Sequence, residues 1–168
     1  ITFGDYKLAD IPNTCVSAVK AVKDLKLNYI SIHVSSGLKA LKAVKRVSGQ
    51  TKIIGVTILT SLDNKSLKEI GFDKDVKKLV QLQAKLASKA NLDAIVCSPH
   101  EIKIVSKIFK KEIFTPGIRM TGDSKGDQKR VMSPKQAFQN GATGLVMGRS
   151  LVKGRIKQNI QKLIEQLK

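Results

Sequence analysis

The sequence predicts an α/β fold of the TIM (β/α)8-barrel type, with this chain supplying six β-α units. Three observations predict it. Short apolar runs of strand character alternate with helical stripes along the whole length, and such alternation builds a parallel sheet covered by helices. Asp5, Lys7, His33, Thr60, Ser61, Ser98, Pro116 and Gly148 all fall at the C-terminal ends of strand segments, where barrel enzymes carry their chemistry. No strand segment runs into a GxGxxG turn, so a doubly wound dinucleotide-binding sheet, which has the same period, lacks its fingerprint.

Each element has its own signal. ITFGDYK is a strand that runs into a charged motif. Residues 12–26 read as a helix, with Pro12 at its first turn and Val16, Val19, Val22 and Leu25 along one stripe. NYISIHV is a strand, and residues 37–47 a helix with Leu38, Leu41 and Val44 apolar. KIIGVTIL is a nearly continuous apolar run, as expected for a strand buried on both faces. A helix over 74–90 leads to the strand LDAIVCS, and a helix over 100–110 to EIFTPG. Ser133-Pro134 is a cap followed by a first-turn proline, opening a short helix over 134–140. GLVMG is the last strand and 150–167 the last helix.

Composition bounds the function. At 168 residues and 42% hydrophobic, the chain holds a single domain with a core. No apolar run approaches the ~18 residues of a membrane span. Cys15 and Cys97 make neither a disulfide framework nor a zinc set, and read as free thiols of a reducing, cytoplasmic compartment. Net charge is +18, from 31 basic and 13 acidic residues. The excess is Lys spread along helical faces, as at Lys20, Lys23 and Lys26 or Lys39, Lys42 and Lys45. Only 4% of residues are aromatic, and none interleaves with the lysines to stack bases. A solvated surface, not a specific nucleic-acid site, is the expectation.

The densest chemistry lies in DYKLADIPNT, residues 5–14. Asp5 and Lys7 share a parity, so an extended segment points both side chains to one side. A Lys held between carboxylates stays protonated and becomes a positioned proton donor. Asp10 falls beyond the strand. An ordinary surface ion pair explains the same ten residues equally well. Gly148-Arg149, where the last strand meets the last helix, combines helix-start N–H groups with a guanidinium fork and suits a phosphate. Alone it reads equally as a turn with a surface Arg. Residues 117–130 form a long polar loop of the kind that acts as a lid. His33 reads as structural and His100 as a surface residue.

DYKLADIPNT, VTILTS (56–61), TPGIRM (115–120), GDQKRV (126–131) and VMGRS (146–150) together resemble, in order and spacing, the orotidine 5′-phosphate decarboxylase family. The resemblance spans essentially the whole chain and starts at the family's third strand. It implies one partial barrel domain over 1–168 whose first two β-α units are absent. It implies decarboxylation of orotidine 5′-monophosphate to uridine 5′-monophosphate and carbon dioxide, the last step of pyrimidine nucleotide synthesis, with no metal or organic cofactor. Lys7 matches the proton donor and Asp5 the carboxylate beside the departing group. Asp10 matches an acid that crosses a homodimer interface, and Thr14 the hydroxyl that crosses with it. Thr60 and Ser61 match contacts to sugar and pyrimidine, and Pro116 a wall of the base pocket. Arg119 and Gln128 match lid contacts, Gln128 bridging phosphate and base. Gly148 and Arg149 match the phosphate cradle.

Gly4 departs from the family's apolar residue and is expected to loosen its strand. The absent units would carry a ribose-binding Asp and a second Lys, so turnover by these 168 residues alone is expected to be poor. Two other readings stay open. One is a degenerate or split-gene product without turnover, acting at most as a basic dimerising or polyanion-binding protein. The other is a magnesium-dependent lyase of the related hexulose-phosphate synthase group, which shares the Asp-x-Lys-x-x-Asp strand but not the DIPNT, TPGIR or DQxRV segments.

Overall fold

The computed structural model describes residues 1–123 and 131–167. Six strands lie in chain order in one parallel sheet: β1 (Phe3–Leu8), β2 (Tyr29–His33), β3 (Lys52–Val56), β4 (Ala94–Val96), β5 (Glu112–Thr115) and β6 (Gly144–Leu145). Register is regular from β2 onward: Ile54 lies beside Ala94 and Ala94 beside Glu112, while Val56, Val96, Phe114 and Gly144 form one row. Side chains paired in this way point to the same face of a sheet. Tyr29, Ser31, His33, Val96 and Phe114 therefore share the inner face, and Ile30, Ile32, Ile53, Ile95 and Ile113 the outer one.

The sheet is curled. β1 and β5 are four strand steps apart, about 19 Å on a flat sheet at ~4.8 Å per step. The rings of Phe3 and Phe114 nevertheless have centroids 6.4 Å apart, with Tyr29 in edge contact with both. The Tyr29 hydroxyl donates to Glu112 at 2.8 Å, and Lys52 Nζ reaches the same carboxylate at 2.5 Å. Residues of β1, β2, β3 and β5 thus meet inside one arc and fill the lower layer of a barrel interior. The six-unit barrel segment expected from the sequence is what forms.

Helices cover the outer face: α1 (Pro12–Ala21), α2 (Gly37–Val47), α3 (Asn64–Glu69), α4 (Val76–Lys89), α5 (Ile102–Ile108), α6 (Pro134–Gln139), α7 (Arg149–Val152) and α8 (Ile156–Leu167). α1 packs on α2, α2 on α4 and α4 on α5. The outer-face isoleucines are buried in one core with Leu41, Val44, Val80 and Ala84. At Gly55 a Cβ would stand 2.8 Å from Leu92 and 2.9 Å from Val34, so residues just after α4 and just before α2 close directly onto the β3 backbone. The register of β1 shifts immediately beyond Gly4. The space beside its Cα is filled by Leu27 and the Tyr6 ring, each 2.7 Å from where a Cβ would be.

Several boundaries differ from the sequence expectation. The helix expected over 12–26 ends at Ala21, and a 3₁₀ turn and a left-handed Lys26 (φ 47°) bring the chain back to β2. The helix expected over 150–167 is two helices, because Gly154 takes φ 82° and ends α7. Asn159 then caps that break, its amide donating to the carbonyls of Leu151 and Lys153. α3 escapes periodicity because it is six residues long, yet Asp63 caps it by accepting from the Ser66 N–H. Ile156, Ile160, Ile164 and Leu167 of α8 remain exposed, while that helix packs on α6 and α7.

Candidate active site

β1 does not run straight to the barrel mouth. Phe3 and Gly4 pair with Tyr29 and Ile30, but the next pairing is Leu8 with Ile32. Four steps along β1 answer two along β2, which makes a bulge of Asp5, Tyr6 and Lys7. Lys7 takes φ 50°, a left-handed conformation that costs a residue with a Cβ about 1–2 kcal/mol. Strain of this kind collects at functional positions.

The bulge brings Asp5 and Lys7 together. Lys7 Nζ donates to Asp5 Oδ2, and both side chains are a little under half exposed, at 45% for Lys7 and 44% for Asp5. A pair that open adds at most about 1 kcal/mol to stability, which does not offset the backbone strain. The pair is therefore not a stability device. Below it, Ser31 Oγ donates to Asp5 Oδ1 and accepts the Lys7 backbone N–H, both at 2.9 Å. Ser31 was not among the residues the motifs singled out. Its signal was a lone hydroxyl at inner-face parity inside an apolar strand.

His33 ends β2 one inward position above Ser31. Burial and the Lys7 ammonium push its imidazole below the usual 6.5, with Asp5 pulling partly back. The sign follows. An unfolded His33 takes up its proton near 6.5 and the folded one resists, so the folded state loses stability as pH falls below 6.5 and is unaffected above it. Urea midpoints at pH 7.5 and 5.5 should therefore differ, and His33→Asn should flatten part of that difference.

The remaining candidates ring the same end of the sheet. Asp10 follows β1, and its Oδ1 accepts the Ile11 N–H at 2.7 Å instead of meeting Lys7. It borders an open groove with Ser35, Ser36 and Pro12, and Thr14 is exposed on the adjoining turn of α1. Thr60 and Ser61 occupy the turn after β3 closed by Leu62 N–H to Leu59 O, Thr60 buried and Ser61 exposed. Pro116 directly follows β5. Arg119 stands at the base of the long loop, where its N–H bonds Met132 O and Met132 N–H bonds Gly117 O. Gln128 lies outside the described residues. Gly148 and Arg149 open α7, and no atom of the described residues lies within 4 Å of where a Gly148 Cβ would be. Cys15 and Cys97 are buried and form no disulfide; Cys15 Sγ donates to the Asp10 carbonyl at 3.3 Å, and Cys97 directly follows β4.

Comparison with known proteins gives one answer. Residues 1–161 match the model of the orotidine 5′-phosphate decarboxylase / HUMPS family. The chain is 42% identical over 153 residues to orotidine 5′-phosphate decarboxylase of Erythrobacter litoralis, covering 90% of this chain and 68% of that protein. It is 42% identical over 167 residues to the enzyme of that name from the Wolbachia of Brugia malayi, covering 97% and 74%. The crystal structure of orotidine 5′-phosphate decarboxylase from Lactobacillus acidophilus superposes with a TM-score of 0.83 at 27% identity, over 98% of this chain and 74% of that one. The chain thus spans roughly two thirds to three quarters of the length of these relatives. The match over residues 1–161, the identity to these relatives and the superposition of the curled sheet make the chain a member of the orotidine 5′-phosphate decarboxylase / HUMPS family.

Proposed function

We propose that the protein decarboxylates orotidine 5′-monophosphate to uridine 5′-monophosphate and carbon dioxide in the cytoplasm. The observation that carries this reading is the Asp5–Lys7 pair on a strained bulge at the barrel mouth. Loss of carbon dioxide leaves an electron pair on pyrimidine carbon 6, with no adjacent carbonyl to accept it. Asp5, set beside the departing carboxylate, is relieved of repulsion as the C–C bond breaks. Lys7 Nζ faces the growing charge and delivers its proton to carbon 6, then regains one from water. The names of the relatives favour this activity over the magnesium-dependent sugar-phosphate lyase and over a product without turnover. The test is direct: the protein isolated from its source should release carbon dioxide from orotidine 5′-monophosphate and form uridine 5′-monophosphate. Absence of turnover at saturating substrate would refute the reading.

The rest of the site follows from the same reading. Thr60, Ser61 and Pro116 hold sugar and base, Gly148 and Arg149 the phosphate, and Arg119 and Gln128 close the lid over it. The active form is a homodimer in which Asp10 and Thr14 complete the partner's pocket. Support comes from Asp10, which is exposed beside an open groove and whose Oδ1 accepts the Ile11 N–H. Mixing inactive Lys7→Ala and Asp10→Ala variants should restore part of the activity, because some mixed dimers then hold one site with neither lesion. No recovery in demonstrably mixed dimers points to a site built within one chain.

A further inference from the structure

We propose that Ser31 is the positioning residue of the Asp5–Lys7 pair, its hydroxyl clamping the β1 bulge and thereby aiming the Lys7 ammonium. Ser31 is 0% exposed and lies between the two β2 residues, Ile30 and Ile32, that bracket the bulge. A bulge takes backbone groups out of the strand ladder. The Lys7 N–H is one of them, and it finds Ser31 Oγ at 2.9 Å instead. The same oxygen gives its own proton to Asp5 Oδ1 at 2.9 Å. One hydroxyl is thus used in both directions, as acceptor from the backbone of the ammonium-bearing residue and as donor to the carboxylate.

The consequence is geometric. The direction of the Lys7 Cα–Cβ bond depends on its left-handed φ of 50°, and the bond to Ser31 anchors that backbone. Asp5 is held on one oxygen by Ser31 and on the other by Lys7, so its carboxylate cannot rotate without breaking one of them. Donor and repelling group are fixed relative to each other before substrate arrives. Removing the clamp leaves both groups present but misaimed, and a displacement of about 1 Å is enough to cost on the order of 10²-fold in rate. The loss should fall on kcat, because Ser31 lies beneath the reacting groups and away from the phosphate end.

The kinetic part of this inference rests on the decarboxylase reading; the clamp itself does not. Ser31→Ala should lower kcat about 10- to 100-fold with KM changed no more than about threefold. Threonine and valine have the same shape and differ by the hydroxyl, so Ser31→Thr should keep most of kcat and Ser31→Val should lose it. That pair decides the matter if Ser31→Ala folds poorly. Hydrogen exchange supplies a readout independent of turnover: the Lys7 amide should exchange at least about tenfold faster in Ser31→Val than in Ser31→Thr, because only the latter can accept its bond. Equal kcat in the threonine and valine variants, or equal Lys7 exchange, overturns the proposal. If the wild-type protein does not decarboxylate orotidine 5′-monophosphate, the activity assignment falls, and Lys7 exchange still decides the clamp.

Discussion

Lys7→Ala is expected to abolish turnover while leaving the protein folded. Loss of general acid catalysis alone costs about 10²–10⁴-fold. In the proposed mechanism the cation that faces the developing charge goes with the proton, so kcat should fall beyond that range. Folding should survive, because the Asp5–Lys7 pair is about half exposed and Ser31 still holds the other oxygen of Asp5. Alanine inherits the left-handed φ, so the strain is unchanged between the two proteins. Lys7→Gly separates the effects: it relieves the strain, should raise the melting temperature relative to Lys7→Ala, and should be equally inactive. Lys7→Arg keeps the charge but not the chemistry. A guanidinium does not give up its proton at neutral pH, and its fork does not fit a position made for one ammonium. Steady-state decarboxylation with saturating orotidine 5′-monophosphate measures all three. A Lys7→Ala variant that keeps a tenth of the wild-type kcat would place the proton donor elsewhere.

The placement of the candidate residues at one end of the sheet is legible in the sequence, and the illegible part has a physical cause. Polar residues at strand ends announce a barrel mouth because a parallel sheet sends all its C-terminal ends to one side. That is where His33, Pro116 and Gly148 stand, each at or just beyond the end of its strand. The inner-face meeting of Asp5 and Lys7 was reached from parity in a straight strand, whereas the strand is bulged. Parity survived because the bulge adds two residues, and an even insertion returns the side chains to the same face. Nothing in the letters Asp-Tyr-Lys states that the lysine adopts φ 50°; that conformation comes from the pairing of β1 with β2 and from Ser31. Ser31 itself was counted within an apolar strand, since one hydroxyl among isoleucines does not break an apolar run. The split of the last helix was legible at Gly154, but the amphipathic stripe runs across it and masks the stop. The curl of the sheet depends on contacts such as Phe3 with Phe114, which are 111 residues apart in sequence and leave no local signal.

Arg149→Ala should weaken a nucleotide far more than its nucleoside. Arg149 opens α7 immediately after Gly148, at the same end of the sheet as the Asp5–Lys7 pair. Among the described residues no side chain occupies the space beside Gly148, so a phosphate can approach the backbone there. A charge-assisted hydrogen bond is worth about 1.5–3 kcal/mol, which corresponds to a ten- to hundredfold loss in affinity for uridine 5′-monophosphate. Uridine, which lacks the phosphate, should bind the variant and the wild type alike. Arg149→Lys should recover only part of the difference, since a point charge does not reproduce a two-pronged contact. The effect should also shrink as salt is raised, because Arg149 is exposed and its field is screened. Turnover adds a second reading. Phosphate lies remote from carbon 6, and binding energy of a remote group is available to close the loop and assemble the site. Its loss should therefore lower kcat as well as raise KM. Calorimetric titration of both ligands into both proteins measures the split. Equal losses for nucleotide and nucleoside would mean that Arg149 does not hold the phosphate and that the Gly148–Arg149 segment is a turn that only begins a helix.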